Sequence, residues 1–582
     1  MKKLLTVNGK WITILVFLYG VGLAAYFSPG DVPGGDGHSH VGRTWLCREI
    51  VAHEHAFPIW TNSWYCGYPL CLYYGFLYYL SGALASLALA GNVFLGTKAF
   101  LWAVHIASGL SMYACVKLLT RSPPAAAFAA TFYSFSLQHL GIIVHSGALP
   151  LSLVFLLLPS VCCVFELFSA GRLRLLHAGA LASIFLALLV FTHIQYGVFS
   201  VGAFFVLAAT RCVVVRACGD GVSRQQHAGF LGLTACFFTA LTAWFLVPLI
   251  TEQHYLVLSA SDPGTRLLGG FSAEKLTRAL GLVTWSKTSH DWEFYYTGAW
   301  GLLLALAGCL AVPKQRNRAS ACYCFLFCAG AVWLLRVPRF VSIWFFFACL
   351  MSGYGFSACT RRLDTRFASA RPYIQCTVGL LLLIDLGPTL PQRPYRTIDN
   401  SLIKHIQKTF TNKDAAGRIL VLTSGRDALW RSLDTVNTHA SSPFGGIPQA
   451  ATTTYPYSAA IVSKLAKEVL DGLGRPSAIT FDGLRLLNIT SVCGPGLSGI
   501  FHLPGAYPAW FSRELKKATD DACLLEKETC ASIRIKFEQR TLDYSYTDYV
   551  IRTMGLDGRQ PVARKTAGPV LHGPCGYDCC VG

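Results

Sequence analysis

The sequence predicts a polytopic α-helical membrane protein of about eleven transmembrane helices with an extracytoplasmic α/β domain at its C-terminal end. Three observations predict it. Of 582 residues, 53% are hydrophobic and only 14% charged, against about 25% charged in ordinary soluble chains. The shortage is local: residues 11–390 are apolar with sparse charges, and 391–582 have the composition of a soluble domain. Lys and Arg gather in short loops between apolar runs, as the positive-inside rule requires. That placement explains the net charge of +19 and argues against nucleic acid, which needs a basic footprint on a soluble face.

The first apolar run, Trp11–Phe27, follows Lys2, Lys3 and Lys10 and lacks a small-x-small cleavage site, so it reads as a retained anchor with a cytoplasmic N-terminus. Residues 28–96 then form an outer loop with interfacial helices. Further apolar runs cover 97–119, 124–143, 149–168, 177–194, 196–215, 228–250, 298–313, 319–335, 338–358 and 372–390. Each suits a hydrocarbon core of about 30 Å.

Residues 70–90 are as apolar as these runs, and whether they cross sets the topology of everything after them. If they cross, Lys117/Arg121, Arg172/Arg174, Arg211/Arg216/Arg224, Lys314/Arg316/Arg318 and Arg361/Arg362 all face outward. If they enter and leave on one side, all face inward, as the charge rule demands. Nine of the residues from Trp60 to Leu80 are Trp, Tyr or Phe, and such rings favour the headgroup level. The expectation is therefore a non-crossing outer element. The outer face also collects His145–Pro150, a long loop over 251–297, the turn Arg336–Arg339, and the domain 391–582.

In that domain, strands are expected at Arg418–Thr423, Ala478–Phe481 and Ser532–Phe537 and a helix at Ser458–Leu473. Cys523 and Cys530 could pair in an oxidising compartment. The other cysteines read mostly as small hydrophobes in apolar segments, because no two CxxC motifs stand at zinc-ribbon spacing.

The polar stretch that draws attention follows the first apolar run. It reads Gly34-Gly35-Asp36, His40, Arg43, then Pro58-Ile59-Trp60 and Gly67-Tyr68-Pro69-Leu70. A carboxylate there can accept a proton from a nucleophile. The same Asp36 can also be a turn former in a Gly-rich loop, and Asp31 sits in a similar turn. Arg43 and Arg48 can snorkel from an interfacial helix. The helix is expected to start near Val41 with Ser39 as its cap.

This pattern resembles the GT-C superfamily of integral membrane glycosyltransferases. More narrowly, with Arg336, Pro338, Arg339 and Phe340, Ile384-Asp385, Phe444-Gly445-Gly446 and Tyr455-Pro456-Tyr457, it is similar to bacterial membrane proteins labelled 6-pyruvoyl-tetrahydropterin synthase-related. The resemblance implies a GT-C-like domain over 1–390, a multi-pass protein of the plasma (inner) membrane, and a polyprenyl-phosphate sugar donor. The acceptor would be a glycan, lipid or protein of the cell envelope. It implies Asp36, or Asp31, as the catalytic carboxylate, and His40, Arg43, Arg336 and Arg339 as substrate-binding residues. The next outer loop, Val144-His145-Ser146-Gly147-Ala148-Leu149, lacks the second acid common in that superfamily. A divalent ion, Mg or Mn, held by His145 with Asp36 or His38 is the remaining metal option, and no other cofactor is implied. The alternative is a non-catalytic or transport protein of envelope glycan assembly, a flippase or scaffold that keeps the GT-C shape.

Overall fold

A computed structural model describes residues 26–27, 36–59, 69–72, 74–218, 221–251, 298–312, 319–334 and 340–366, with Thr61, Thr377 and five short strands between 418 and 537. The chain divides into two compact units. The first holds Met1–Phe57, Cys71–Thr251 and Ala260–Thr397; the second holds Pro58–Leu70, Glu252–Ser259 and Ile398–Gly582.

The first unit is helical. In order, its described helices are α1 (Gly37–Glu49, with a π turn over Ile50–Glu54), α2 (Leu77–Ala88), α3 (Val93–Thr120), α4 (Pro123–Phe135, followed by a π-helical segment Leu137–Ser146), α5 (Leu151–Ser169), α6 (Leu175–Thr192), α7 (Ile194–Cys218), α8 (Arg224–Thr251), α9 (Ala299–Ala311), α10 (Ala319–Leu334) and α11 (Val341–Arg366). Their ends follow local chemistry. Asn92 caps α3 by accepting from the Leu95 N–H at 3.0 Å. Pro123 and Pro124 open α4, where missing N–H donors cost nothing. Gly147, at φ 76°, closes the π-helical segment.

Among the described residues, seven segments are long and apolar enough to cross a membrane: Val93–Thr120, Pro123–Ser146, Leu151–Ser169, Leu175–Thr192, Ile194–Val214, Arg224–Thr251 and Val341–Arg362. They coincide with seven of the expected runs. The runs expected at 298–313 and 319–335 appear as the shorter α9 and α10; those at 11–27 and 372–390 lie almost wholly outside the described residues. Helix α2 has 12 residues, about 18 Å at 1.5 Å per residue, well short of a bilayer core.

The helices distinguish two ends of the bundle. At one end the Asp36 N–H donates to the Ser146 carbonyl at 3.0 Å, Gly75 lies against the Thr192 backbone, and Arg48 donates to the Gly91 carbonyl. The C-terminal ends of the π-helical segment and of α6, and the start of α3, therefore share an end with α1 and α2. Residues 36–92 begin and finish at that end, in keeping with a non-crossing element. At the other end Arg361 donates to the Thr120 carbonyl at 3.2 Å and Ser169 meets His227 at 3.2 Å. There Tyr323 donates to Glu166 at 2.8 Å, with Arg211 3.8 Å away across the same carboxylate. Glu166 is thus a buried tie between α5, α7 and α10.

Helices α9 and α11 meet at glycines. A Cβ on Gly355 would lie 1.9 Å from the Leu304 carbonyl oxygen, and one on Gly308 would lie 2.3 Å from that of Met351. Small residues let membrane helices approach backbone to backbone. Gly355→Val is expected to destabilise the fold by about 1–3 kcal/mol or more. Thermal unfolding in detergent checks this, and an unchanged Tm contradicts it.

In the second unit, β1 (Arg418–Val421) pairs in parallel with β2 (Ile489–Cys493), which pairs antiparallel with β3 (Phe501–His502). A separate antiparallel pair joins β4 (Cys523–Lys527) and β5 (Ile533–Phe537). Strands at 418 and 533 agree with the sequence; the expected strand Ala478–Phe481 and helix Ser458–Leu473 lie outside the described residues.

Candidate active site at one end of the bundle

Helix α1 starts at Gly37, not near Val41, and Asp36 occupies the N-cap position. Ser39, the expected cap, is buried inside the helix. The earlier start follows from chain economy: the Asp36 backbone is fixed by its bond to Ser146, and its carbonyl already accepts from the N–H groups of Ser39 and His40. Negative charge at a helix N-terminus is favoured by the orphan N–H groups and the macrodipole.

The spacing of Asp36, His40 and Arg43 is i, i+4, i+7. On a helix this places all three along one stripe. Asp36 is exposed, while His40 is 4% and Arg43 0% exposed. The stripe thus runs from an open carboxylate to a buried guanidinium. Of the two readings of Arg43, substrate binding or snorkelling, the second does not fit its burial: its guanidinium lies over the rings of Tyr74 and Tyr79, at 5.2 and 5.6 Å from their centroids. Desolvating an ion costs several kcal/mol, which two aromatic faces at about 2 kcal/mol each offset in part.

The aromatics extend this network. The His40 Nδ1 and Tyr79 hydroxyl are 2.9 Å apart, and the Tyr74 hydroxyl and His193 Nε2 are 3.1 Å apart. His193 lies between α6 and α7. The network therefore joins α1, the Tyr74–Phe76 approach to α2, α2 itself and the α6–α7 turn. Gly75 permits it: a Cβ there would be 2.4 Å from the Thr192 carbonyl. The aromatics were expected at headgroup level. Tyr78 and Tyr79 are fully buried, and Phe76 packs within 5.1 Å of Phe191 and 5.6 Å of Trp244. Tyr79 contacts His40 and Arg43 and is part of the site wall.

Burial, with Arg43, His193 and His38 nearby, holds the His40 pKa well below the usual histidine range. His40 is therefore neutral near pH 7. In the unfolded chain it takes up a proton near pH 6.5, so between its folded pKa and about 6.5 the unfolded state binds more protons. Its contribution is present above about pH 6.5 and is lost as pH falls towards the folded value. His40→Gln is expected to flatten the loss of stability between about pH 6.5 and 5. Thermal melts across that range check it; an unchanged slope contradicts it.

His38 is buried in the first turn of α1, and His145 is half-buried beside Ser146. With Asp36 they form no three-ligand set among the described residues. The one such set there is Cys309, Cys324 and Cys328. Asp31, Arg336 and Arg339 lie outside the described residues.

Sequence reasoning missed the roles of Tyr74, Tyr79 and His193. The signal for His193 was a histidine at the break between two apolar runs, in Phe191-Thr192-His193-Ile194. It also missed a buried pair within the spans. The His105 and His139 rings are 5.2 Å apart; Tyr26 reaches His105 at 3.3 Å and Ser108 reaches His139 at 3.4 Å.

No family model matches the chain, and no curated protein matches it. Solved structures do. The cryo-EM structure of arabinofuranosyltransferase AftD from Mycobacteria aligns with TM-score 0.58 and 15% identity, over 83% of this chain and 35% of that one. The archaeal oligosaccharyltransferase AglB from Archaeoglobus fulgidus, in complex with an inhibitory peptide and a dolichol-phosphate, aligns with TM-score 0.53 and 10% identity, over 94% of this chain and 77% of that one. The Archaeoglobus fulgidus oligosaccharyltransferase in complex with Zn and sulfate aligns at 0.50 and 12%, over 83% and 67%. The chain spans about a third of the length of AftD. The chain shares its fold with these membrane-protein structures; the likeness does not extend to the pterin synthase-related resemblance.

Proposed function

We propose that the chain is a membrane glycosyltransferase that moves a sugar from a polyprenyl-phosphate-linked donor to an extracytoplasmic acceptor. The observation that carries this reading is the α1 stripe. An exposed carboxylate stands one and two turns from a buried histidine and guanidinium, at the bundle end built from connecting segments. Fold alone does not fix function, so the site must carry the reading. AglB's bound dolichol-phosphate, in a protein of the same fold, supports a lipid-phosphate donor.

In this reading Asp36 accepts the proton of the acceptor hydroxyl as its oxygen attacks the anomeric carbon. The bond from that carbon to the phosphate oxygen breaks, with inversion, and the electron pair leaves on the lipid phosphate. Arg43 stabilises that developing charge; a guanidinium suits phosphate through paired donors. Neutral His40, bonded to Tyr79, positions the Arg43 side of the site. Arg336 and Arg339 are proposed further phosphate contacts, and Asp31 is the alternative carboxylate. In this reading the end of the bundle holding Asp36 faces outward, with the N-terminus cytoplasmic and 391–582 outside; the basic loops at the other end support it. The plasma membrane is the proposed site of action. A divalent ion would have to draw on Asp36 and His145, which the Asp36–Ser146 backbone bond brings near in chain.

Radiolabelled sugar on a polyprenyl phosphate, supplied to membranes containing the chain, is expected to pass to envelope material. No transfer above membranes lacking the chain contradicts the reading. A transport reading draws on one observation, the buried His105–His139 pair within the spans. Polar residues at that depth mark pathways in transporters. Movement of lipid-linked sugar across vesicles without covalent transfer would favour it.

A further inference from the structure

Cysteines in apolar helices are usually small hydrophobes, and Cys349 fits that description, buried in α11. Three others do not. Cys309 on α9 and Cys324 and Cys328 on α10 bring their Sγ atoms within 4.8 Å of one another. Cys324 and Cys328 are i, i+4, so they share one face of α10. Cys309 reaches that face from the neighbouring helix. Cys309 and Cys324 are half-buried and Cys328 is exposed, so the group is reachable from outside the bundle.

We propose that Cys309, Cys324 and Cys328 form a tri-thiolate site for a soft, thiophilic d10 metal ion, Zn²⁺ or Cu(I). The chemistry is specific to that class: thiolates select such ions, and hard cations prefer oxygen. A Zn–S bond of about 2.3 Å in tetrahedral geometry sets sulfur atoms about 3.8 Å apart. The three side chains reach that spacing by contracting at most about 1 Å, a movement that unbranched cysteines make by rotation about χ1. Each thiol loses its proton on binding, so three protons leave as the ion enters. Three thiolates leave a Zn²⁺ centre with an excess negative charge. The seven residues between the helices, Val312–Arg318, carry Lys314, Arg316 and Arg318, which suits that charge. The same basic loop reads as cytoplasmic, where thiols stay reduced. A disulfide would use two of the three cysteines and leave the third with no place in the arrangement. With three protein ligands, a fourth position stays open.

The test uses the full chain purified in detergent under reducing conditions. It is loaded in separate arms with Zn²⁺, Cu(I) or the spectroscopic probe Cd²⁺, then washed with a weak chelator. About one ion per chain is expected to be retained, with a sulfur-to-metal charge-transfer band in the Cd²⁺ arm. Cys309→Ser and Cys324→Ser should each lower retention at least tenfold, and Cys236→Ser, at an exposed single cysteine of α8, should not. Should a variant fail to fold, alkylation of the wild-type chain read by mass spectrometry decides. The ion should slow alkylation of Cys309, Cys324 and Cys328 and leave Cys236 unaffected. Equal retention in the serine variants, or equal alkylation with and without the ion, overturns the proposal.

Discussion

Asp36→Asn is expected to lower sugar transfer by about 10²–10⁴-fold, the usual worth of a general base, with the fold intact. The substitution separates chemistry from structure. Asp36 occupies the N-cap of α1, and its backbone N–H bonds Ser146. Asn and Asp are about equal as N-caps, and the backbone bond does not depend on the side chain. If Asp36 were only a turn former, Asn would serve as well and transfer would continue. Asp36→Ala gives a weaker test, because it removes the bulk and polarity of the side chain together with its charge. The rate of label transfer by purified chain, with the thermal melt of each variant alongside, checks the expectation. An Asn variant with wild-type rate moves the base to Asp31 or out of this loop.

Arg43→Lys is expected to raise the KM for the lipid-phosphate donor by about 10- to 100-fold. The estimate follows from the loss of a charge-assisted hydrogen bond worth about 1.5–3 kcal/mol. Lysine keeps the charge but not the planar fork that meets phosphate oxygens in pairs, nor the flat face that stacks on Tyr74 and Tyr79. Arg43 is fully buried, so a melt is needed beside the kinetics. A stable Lys variant with raised KM supports donor binding. A Lys variant with unchanged KM but lower Tm makes Arg43 a packing residue of the α1–α2 contact, and the donor phosphate would then rest on Arg336 and Arg339.

The helical part was legible because hydrophobic runs of 18 or more residues have few other uses. Charge placement carried more than hydropathy at 70–90. That run is as apolar as a span, and the basic loops further along the chain, with its own aromatic content, argued that it returns to its starting side. The 12-residue α2 and the contacts at Asp36, Gly75 and Gly91 show that it starts and ends at one end of the bundle. The stripe of Asp36, His40 and Arg43 was legible as a motif. Its burial gradient was not, because snorkelling and burial leave the same trace in sequence. Aromatic rings posed the same difficulty. Tyr74 and Tyr79 suit a headgroup or a buried wall equally well, and the choice depends on His193, more than 100 residues away. The His105–His139 pair was passed over because each histidine stands alone in its own apolar run, and only helix packing brings the two together. The cysteine triad likewise needs α9 and α10 side by side before its spacing means anything.

The central claim is that Asp36 makes this helical bundle a glycosyltransferase. It is tested most directly in the native host, by mass-spectrometric profiling of envelope glycans in a deletion strain complemented with wild type or with Asp36→Asn. The expected result is a glycan missing from the deletion, restored by the wild-type chain and absent with Asp36→Asn despite equal protein levels. An envelope profile unchanged in both the deletion and the Asp36→Asn strain would contradict it.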